Sequence, residues 1–547
     1  MVKLPLGIYL MSTPNSNSSF NRFLRKMGEA PVVYDTLLSE RSRQRIHDAL
    51  FNLGYLHAEV TTHEEYRKHK VRVRYDVRPG EKYYVDTISV EVRDTSILGE
   101  MEKLAEGTRL KKGMAFDANV LNEERSRITN HMTENGYYYF NRDIIRYEVD
   151  TLRGSTLVRL KMIVSEHIDP TDNSHSPHQK YRIGEVKYSY DRSTGSPIWF
   201  RTSVLHRSNS LVSGEVYSDS KLTDTYSRFN KLGAVAATNV QMEPNEQDST
   251  LLDANIVITP ARLNSIQLGL DGTNTAGDLG AAANFTYQNR NVFHGSEIFS
   301  LKFRTAFEAI RGLKGYADQN YFEYSIETGL QFPDFVFPFI SRDFRRRSKA
   351  ATEFNLMFAS QDRPEFHRRV LTASWKYRWN NANAKQLHRF DLLDINYVFM
   401  PWISDTFYDT YIKNPERRNA IIAYNYKNLF IVKLGYQYQY SSSGLASPMG
   451  IYGKDAYTVR FAVETAGNLL HGICNLANTK VNDDGQRTLF NIAYAQYAKL
   501  DFDISKSIRF SNRTSLALRF ALGIAYPYGN SDILPYEKRY FSGGANS

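Results

Sequence analysis

Cysteine is almost absent from the chain. Cys474 is the single one among 547 residues, so no internal disulfide and no cysteine-based metal site can form. Long apolar runs are missing too. No stretch of about 18 consecutive apolar residues occurs, which excludes a helical membrane span. The longest candidates, such as Pro333–Ile340 (PDFVFPFI), are far too short. A membrane barrel remains open, because its strands alternate apolar and polar residues and average out as hydrophilic. The mean hydropathy of −0.48 fits that case as well as a soluble one. Catalytic signatures are lacking: there is no G-x-S-x-G, no H-E-x-x-H and no phosphate-binding G-x-x-x-x-G-K-[ST]. Gly450–Ala456 (GIYGKDA) comes nearest to the last and has neither its spacing nor its Ser/Thr. The chain is therefore expected to be non-enzymatic, with no cofactor and no bound metal. The N-terminal stretch has one Lys and a short apolar segment broken by Pro5, without a proper signal-peptide core. It reads as the start of a fragment.

What is present is a basic balance and abundant aromatics. Lys and Arg number 69 against 59 Asp and Glu, and there are 37 Tyr and 31 Phe beside 4 Trp. The excess is uneven. Residues 1–264 hold 36 basic and 34 acidic side chains, and residues 265–547 hold 33 and 25. Nucleic-acid binding is one reading of a basic half; basic loops and a polar lumen are the plainer one, and no nucleic-acid partner is expected.

The N-terminal half repeats three times. A polar amphipathic helix, a glycine and a strand-like stretch recur at Ser39–Val60, Leu121–Asp143 and Leu222–Val240. Their glycines are Gly54, Gly136 and Gly233, at intervals of 82 and 97 residues. Glycine after a helix takes the left-handed position without a Cβ penalty. Tyr55 and Tyr137 follow the first two. The strand-like stretches Tyr55–Val60, Tyr137–Phe140 and Val235–Val240 are candidate sheet edges. A further strand follows each junction at Val71–Val77, Leu157–Val164 and Leu251–Ile258, and new units open at Tyr84–Val90 and Tyr181–Tyr188. Each complete unit reads β-α-α-β-β; the first lacks its opening strand. His167, His175 and His178 lie in a polar insert, read as a loop before the third unit more readily than as a metal site.

From Ser265 the period changes to two. Eleven alternating strands are predicted: 265–273, 279–287, 299–308, 322–330, 352–358, 371–379, 393–399, 430–440, 457–465, 490–502 and 516–524. One phase is aliphatic and aromatic, including Tyr436, Tyr438 and Tyr440; the other is Gly, Asn, Gln, Ser and charged. The tenth strand fits least well, since Gln496 falls in its outward phase. These lengths cross a bilayer at a tilt. If strand one leaves the periplasmic units, Asn289–Ser296 and Ile504–Ser507 are short periplasmic turns, and Pro401–Asn425 and Ala466–Arg487 are extracellular. Gln331–Lys349 is a long exception, and its Arg345–Arg347 run is read as a solvated face or a contact with anionic headgroups. Lumen-phase charges (Lys302, Arg304, Glu323, Glu327, Lys376, Arg378, Arg460, Glu464) are expected to pair across strands.

Three such units feeding an antiparallel barrel resemble the POTRA-plus-barrel proteins of the BamA/TamA superfamily, most closely the TamA-like, TamL-type branch. The most specific match is Arg539–Ser547 (RYFSGGANS). It resembles the lead-in to the family's sixth extracellular loop at Arg539, Phe541, Gly543, Gly544 and Ser547. The turn Asn289–Glu297 (NRNVFHGSE) also resembles the family. The resemblance implies α+β periplasmic repeats followed by a transmembrane β-barrel, of which about 11 of 16 strands are present. The expected boundaries are 1–82, 83–180, 181–264 and 265–547. The chain is expected to lack both ends of a longer protein.

The resemblance also implies a role. The protein is expected in the bacterial outer membrane, with POTRA domains in the periplasm, as an assembly or translocation factor. Expected partners are unfolded outer-membrane protein clients, a TamB-like periplasmic protein and the lipid bilayer. In the family the first barrel strand forms a lateral seam. That strand carries Ile266, Leu268 and Leu270 together with Gly269 and Gly272, and glycine weakens pairing. Two other readings stand beside this one: a two-partner secretion transporter, and a passive porin or nutrient transporter. A barrel fused to a surface hydrolase is disfavoured by the missing nucleophile motif.

Overall fold

The computed structural model describes residues 4–13, 16, 18–68, 70–152, 154–168, 174–191, 200–275, 278–309, 320–337, 339, 341, 345, 350–380, 385–413, 426–443, 456–482, 485–510 and 514–540. The chain divides into two compact units. One holds Met1–Gly184, Ser213–Ser220 and Pro244–Leu252; the other holds Glu185–Val212, Lys221–Glu243 and Asp253–Ser547.

In the first unit, helices α1 (Leu4–Leu10), α2 (Ser19–Met27) and α3 (Thr36–Asn52) precede a hairpin of β1 (Glu59–Arg67) and β2 (Lys70–Arg78). The second repeat has the full set: β3 (Tyr84–Val92), α4 (Leu98–Ala105), α5 (Ala118–Glu134), β4 (Ile145–Thr151) and β5 (Leu157–Val164). Its sheet runs β3-β5-β4, with β3 parallel and β4 antiparallel to β5. Asp35 and Asp117 cap the main helices α3 and α5, each carboxylate accepting backbone N–H groups of the first turn. The buried face of α5 (Leu121, Ile128, Met132) meets Val158, Leu160, Met162 and Val164 of β5, the core of the repeat.

The third repeat adds β6 (Arg182–Tyr190), α6 (Thr202–Ser208), α7 (Asp219–Asn230), β7 (Val235–Pro244) and β8 (Leu251–Pro260), in sheet order β6-β8-β7. Strand β8 alternates, burying Leu252, Ala254, Ile256 and Ile258. It is central for the same reason as β5: strands flank both its edges.

Eleven antiparallel strands then form one sheet in chain order. They are β9 (Asn264–Thr275), β10 (Asp278–Asn289), β11 (Ile298–Ala309), β12 (Asn320–Phe332), β13 (Ala351–Asp362), β14 (Phe366–Asn380), β15 (Gln386–Ile403), β16 (Leu429–Ser441), β17 (Tyr457–Ala466), β18 (Tyr497–Arg509) and β19 (Ser515–Pro527). A 13-residue strand is about 43 Å long at ~3.3 Å per residue, and at a 45° tilt spans about 30 Å, one hydrocarbon thickness.

Several sequence expectations are corrected. Tyr137–Phe140 is a turn; the strand begins at Ile145 because Tyr137 and Phe140 are drawn into the core beside Met132. The stretch Tyr55–Val60 is likewise mostly turn, with β1 starting at Glu59. The tenth barrel strand is Tyr497–Arg509, not 490–502. Gln496 lies just before it, buried, bonded to Asn468 and Asn530 and, through its backbone N–H, to Ser531. Ile504–Ser507, expected as a turn, accordingly lies within this strand, which ends at Arg509. A second long connection, 442–456, lies at the same end of the sheet as 333–350, so loop length alone does not separate the two ends. GIYGKDA lies outside the described residues apart from Ala456, as does most of Arg345–Arg347. Arg345 donates to the Phe337 carbonyl, and Phe335 stacks on Tyr377. The described part of that loop is therefore held against the sheet by its own contacts.

Candidate strand-accepting surfaces

The eleven-stranded sheet has two chemically different faces. Its outward phase exposes Phe303, Phe307, Phe322, Ile326, Leu356, Phe358, Leu371, Phe399, Leu434, Val463 and the row Leu516, Leu518, Phe520, Leu522, Ile524 of β19. An apolar surface this continuous is not sustained in water and suits hydrocarbon. Aromatics gather near both strand ends. Trp379 stacks on His388 beside Tyr436 and Tyr438 at one, and His367 meets Trp402, with Phe366 near Tyr426, at the other.

The opposite face carries ion pairs across neighbouring strands. Lys302 reaches Glu327 at 3.0 Å, Arg378 reaches Glu353 at 3.3 Å and Lys376 reaches Asp394 at 3.3 Å. Lys433 sits between Asp394 and Glu464, at 3.5 and 3.0 Å. Arg304 bonds Asn284, Gln361 reaches Glu323, and Arg460 stands opposite Asp503 in the register. Cross-strand pairing was legible in the sequence. The convergence of Asp391, Asp394, Lys433 and Glu464 with Lys538 was not, because a register shift between β15 and β16 at Asp391/Asp394 brings both aspartates to one lysine.

The segment after β19 returns to this charged face. Lys538 reaches Glu464 at 3.0 Å, and Tyr540 donates to Asp501 at 2.6 Å. The Tyr540 ring packs where Gly523 has no Cβ, under the Lys499 ammonium at 4.3 Å. Arg539 bonds the Leu534 carbonyl, closing its own turn. Phe541, Gly543, Gly544 and Ser547 lie outside the described residues.

Strand β9 is one edge of the sheet and β19 the other, among the described residues. Leu268 and Leu270 of β9 are 80% and 88% exposed, more than any outward residue on the internal strands, and Ile266 follows at 65%. A Cβ on Gly269 would meet only ordinary contacts and on Gly272 nothing within 4 Å. Neither glycine is required by space. Their effect is to remove side-chain packing from the edge.

The repeat junctions follow one design. Gly54 and Gly136 have φ of +94° and +101°, the left-handed turn expected of them. The Gly54 carbonyl accepts the Tyr83 N–H and the Gly136 carbonyl the Tyr181 N–H, each at 2.9 Å. Lys82 lies over the Tyr55 ring and Lys180 over the Tyr137 ring. The Gly-Tyr/Lys-Tyr pairing was present in the sequence as Gly54-Tyr55 with Lys82-Tyr83 and Gly136-Tyr137 with Lys180-Tyr181, and only the fold reveals that the pairs meet. Around the second joint, Glu100 binds Lys180, His131 and Lys103, and Glu134 accepts from Ser218 and Ser220. The Lys180 hydrogen bond, reinforced by the other two, holds the Glu100 carboxyl at a pKa of about 2. His178 is buried, with Nε2 3.0 Å from the Ser165 carbonyl oxygen; burial holds its imidazole below the ordinary value.

Gly233 departs from the pattern. Its φ is not positive; a Cβ there would come within 2.8 Å of Ile298 Cδ1, so close packing is what calls for glycine. The third joint uses the turn Asn289–Glu297 instead. Ala234 N–H bonds Ser296 Oγ at 3.0 Å, Arg201 pairs with the buried Glu297, and Arg207 reaches Asp334 at 2.5 Å. Glu297 also accepts the Gly295 N–H, so one carboxylate shapes the turn and receives the third repeat.

Helix-paired repeats followed by an antiparallel sheet with an apolar outer face form the POTRA-plus-barrel architecture. No protein-family model and no curated protein matches the chain. Among solved structures it is similar to BamA from Haemophilus ducreyi lacking POTRA domains 1–3, at 13% identity over 84% of this chain and 74% of that one, with a TM-score of 0.49. It is also similar to CdiB from Escherichia coli, at 10% identity over 90% and 74% of the two chains, TM-score 0.37. A third is Haemophilus influenzae BamA POTRA3-5, at 15% identity over 42% and 84%, TM-score 0.29.

Proposed function

We propose that this is an outer-membrane protein of the BamA/Omp85 superfamily that helps assemble or translocate other polypeptides. In this reading residues 1–82, 83–180 and 181–264 are periplasmic POTRA-like units, and 265–547 belong to the transmembrane barrel. The units receive unfolded outer-membrane clients or a TamB-like partner. Strand β9 then pairs with a client strand at a weak lateral seam. The observation that carries this is strand β9 itself: an alternating apolar row with two glycines that no packing requires. The residues Arg539, Phe541, Gly543, Gly544 and Ser547 are assigned to the sixth-loop lead-in, consistent with the return of Lys538 and Tyr540 to the charged face. A two-partner secretion transporter is the second reading, favoured by the same strand edge used for a single dedicated substrate.

The test is a photocrosslink scan from Ile266, Leu268 and Leu270 in the protein in native membranes. Adducts with newly made barrel proteins are expected at all three. Adducts elsewhere on the chain with none at these positions would remove seam templating, and adducts with one exported substrate alone would favour the secretion transporter.

A further inference from the structure

One connection folds onto the outside of the eleven-stranded sheet. Between β17 and β18 lies helix α8 (Asn468–Leu476), followed by a short hairpin that pairs Thr488–Leu489 with Ile492–Ala493. Leu470 and Cys474 of α8 are buried with Tyr494 against Val432, Phe430, Leu393 and Ile395. Those four belong to the apolar, outward phase of β15 and β16. Ile395 stands opposite Val432 in the register, whereas the neighbouring Asp394 and Lys433 pair on the charged face. The connection expected outside the membrane at Ala466–Arg487 therefore begins along the wall of the sheet.

The wall is short at this point. Strand β17 has 10 residues, about 33 Å at ~3.3 Å per residue and about 23 Å at a 45° tilt, less than the ~30 Å hydrocarbon thickness. Past its last residue the connection takes over the edge of β16: Gly467 N–H donates to the Val432 carbonyl and Ala495 N–H to the Phe430 carbonyl, each at 2.9 Å. Along β15, Ile395 sits midway between His388 and Trp402, the aromatic positions near its two ends. Helix α8 thus lies at the depth of the acyl chains.

A helix that only covered the wall would be apolar on one side, and α8 is apolar on two. Leu469, Ile473 and Leu476 form a second stripe at i, i+4 and i+7; all three are exposed, Leu476 at 91%. The helix carries no Asp, Glu, Lys or Arg, and His471 Nδ1 is 2.9 Å from the Tyr494 hydroxyl. Its C-terminus closes on itself: Ala477 N–H donates to the Ile473 carbonyl and Thr479 N–H to the Cys474 carbonyl, around Asn478 at φ +48°. These polar groups, which hydrocarbon could not satisfy, are paired within the chain. The hairpin is an independent sign. Its turn residues Phe490 and Asn491 have φ of +54° and +62°, a turn that favours Asn and Gly. Phe490 is strained there and 86% exposed; a bulky aromatic held in that way at a tip gains nothing from water and gains from an apolar medium.

We propose that the connection between β17 and β18 is a lipid anchor. Helix α8 and the Phe490 tip are inserted among the acyl chains of the bilayer, with Leu469, Ile473, Leu476 and Phe490 facing lipid. The occupant is the bilayer because the stripe continues the exposed outward row of the adjoining strands, Leu434, Val463 and Leu500. The anchor goes beyond the proposed function and holds for either reading of it.

The experiment uses the full 547-residue protein in phosphatidylcholine vesicles whose acyl chains are plain or brominated. Cys474 is the single cysteine and is fully buried, so a bimane attached through Leu476→Cys or Phe490→Cys reports that position, and the parent chain is the blank. Leu434→Cys is the lipid reference and Glu65→Cys on β1 the water reference. Brominated lipid is expected to quench the label at 476 and 490 as it does at 434, and aqueous iodide to quench strongly at 65 alone. Phe490 lies at a turn tip, so its variant stays decisive if Leu476→Cys disturbs α8. Iodide quenching at 476 and 490 equal to that at 65, with no loss to brominated lipid, would overturn the proposal. So would self-quenching that grows with the protein-to-lipid ratio and ignores bromine, which would place a second copy on this face. Bromine quenching at 434 without 476 and 490 would remove the anchor and leave the spanning sheet; its absence at all three would remove both.

Discussion

In the second repeat, β5 buries Val158, Leu160, Met162 and Val164 between two neighbouring strands and under α5. In the first, β2 presents an apolar row on its helix-facing side but has one neighbouring strand among the described residues, and none of that row is fully buried. The joints that follow the two main helices are nonetheless the same, down to the lysine over the tyrosine. Covering a central strand and fixing a repeat to the next are thus separate tasks in this molecule. The sequence period serves the first, and a glycine-tyrosine pair serves the second.

That separation can be broken by substitution. The largest effect is expected from Ile128→Ala, which empties a site among Met132, Ile97 and Met162 in the second repeat. It should cost about 2–5 kcal/mol, read as lost hydrogen-exchange protection over β5. Next comes Gly54→Ala. A Cβ there meets the Phe116 carbonyl oxygen at 2.4 Å on a residue with φ +94°, for about 1–3 kcal/mol, seen as proteolysis between residues 54 and 83. Gly136→Ala should behave alike, against Val216, because the joint is shared.

A third test uses acid. The Glu100 carboxyl is held at about 2, below its ordinary 4.5. Its stabilising contribution is therefore complete above about pH 4.5 and is lost as pH falls towards 2. Unfolding followed over that window should show the second repeat weakening, and Glu100→Gln should flatten the dependence while leaving the first repeat's response unchanged. The smallest effect is expected from Val73→Ala in β2. Its side chain is only half-buried, so the cost should stay near or under about 1 kcal/mol in denaturant titration. A cost equal to that of Ile128→Ala would erase the contrast between the repeats.

The order of helices and strands was legible because two periods, 3.6 and 2, change sharply near residue 265. The limits of Leu157–Val164 coincide with those of β5, and all eleven barrel strands occur. Boundaries failed where tertiary contacts outweighed the pattern. Tyr137 and Phe140 look like strand residues and are core plugs in a turn; Gln496 looks like a strand defect and is a buried hydrogen-bonding hub. The first barrel strand could be found from alternation alone. The Glu297 socket and the Lys433 cluster could not, because their partners lie far off in sequence and meet only through sheet register.

The two repeat joints carry a mechanical consequence. Each clamps its glycine carbonyl, its tyrosine ring and the following backbone at once, so no free linker separates the repeats on either side. A pull on the β1–β2 hairpin is therefore not absorbed by slack at Gly54. It is passed to Tyr83, then to the sheet of the second repeat, then to Gly136 and Tyr181. The first and second repeats are thus coupled through backbone hydrogen bonds and not through a slack linker.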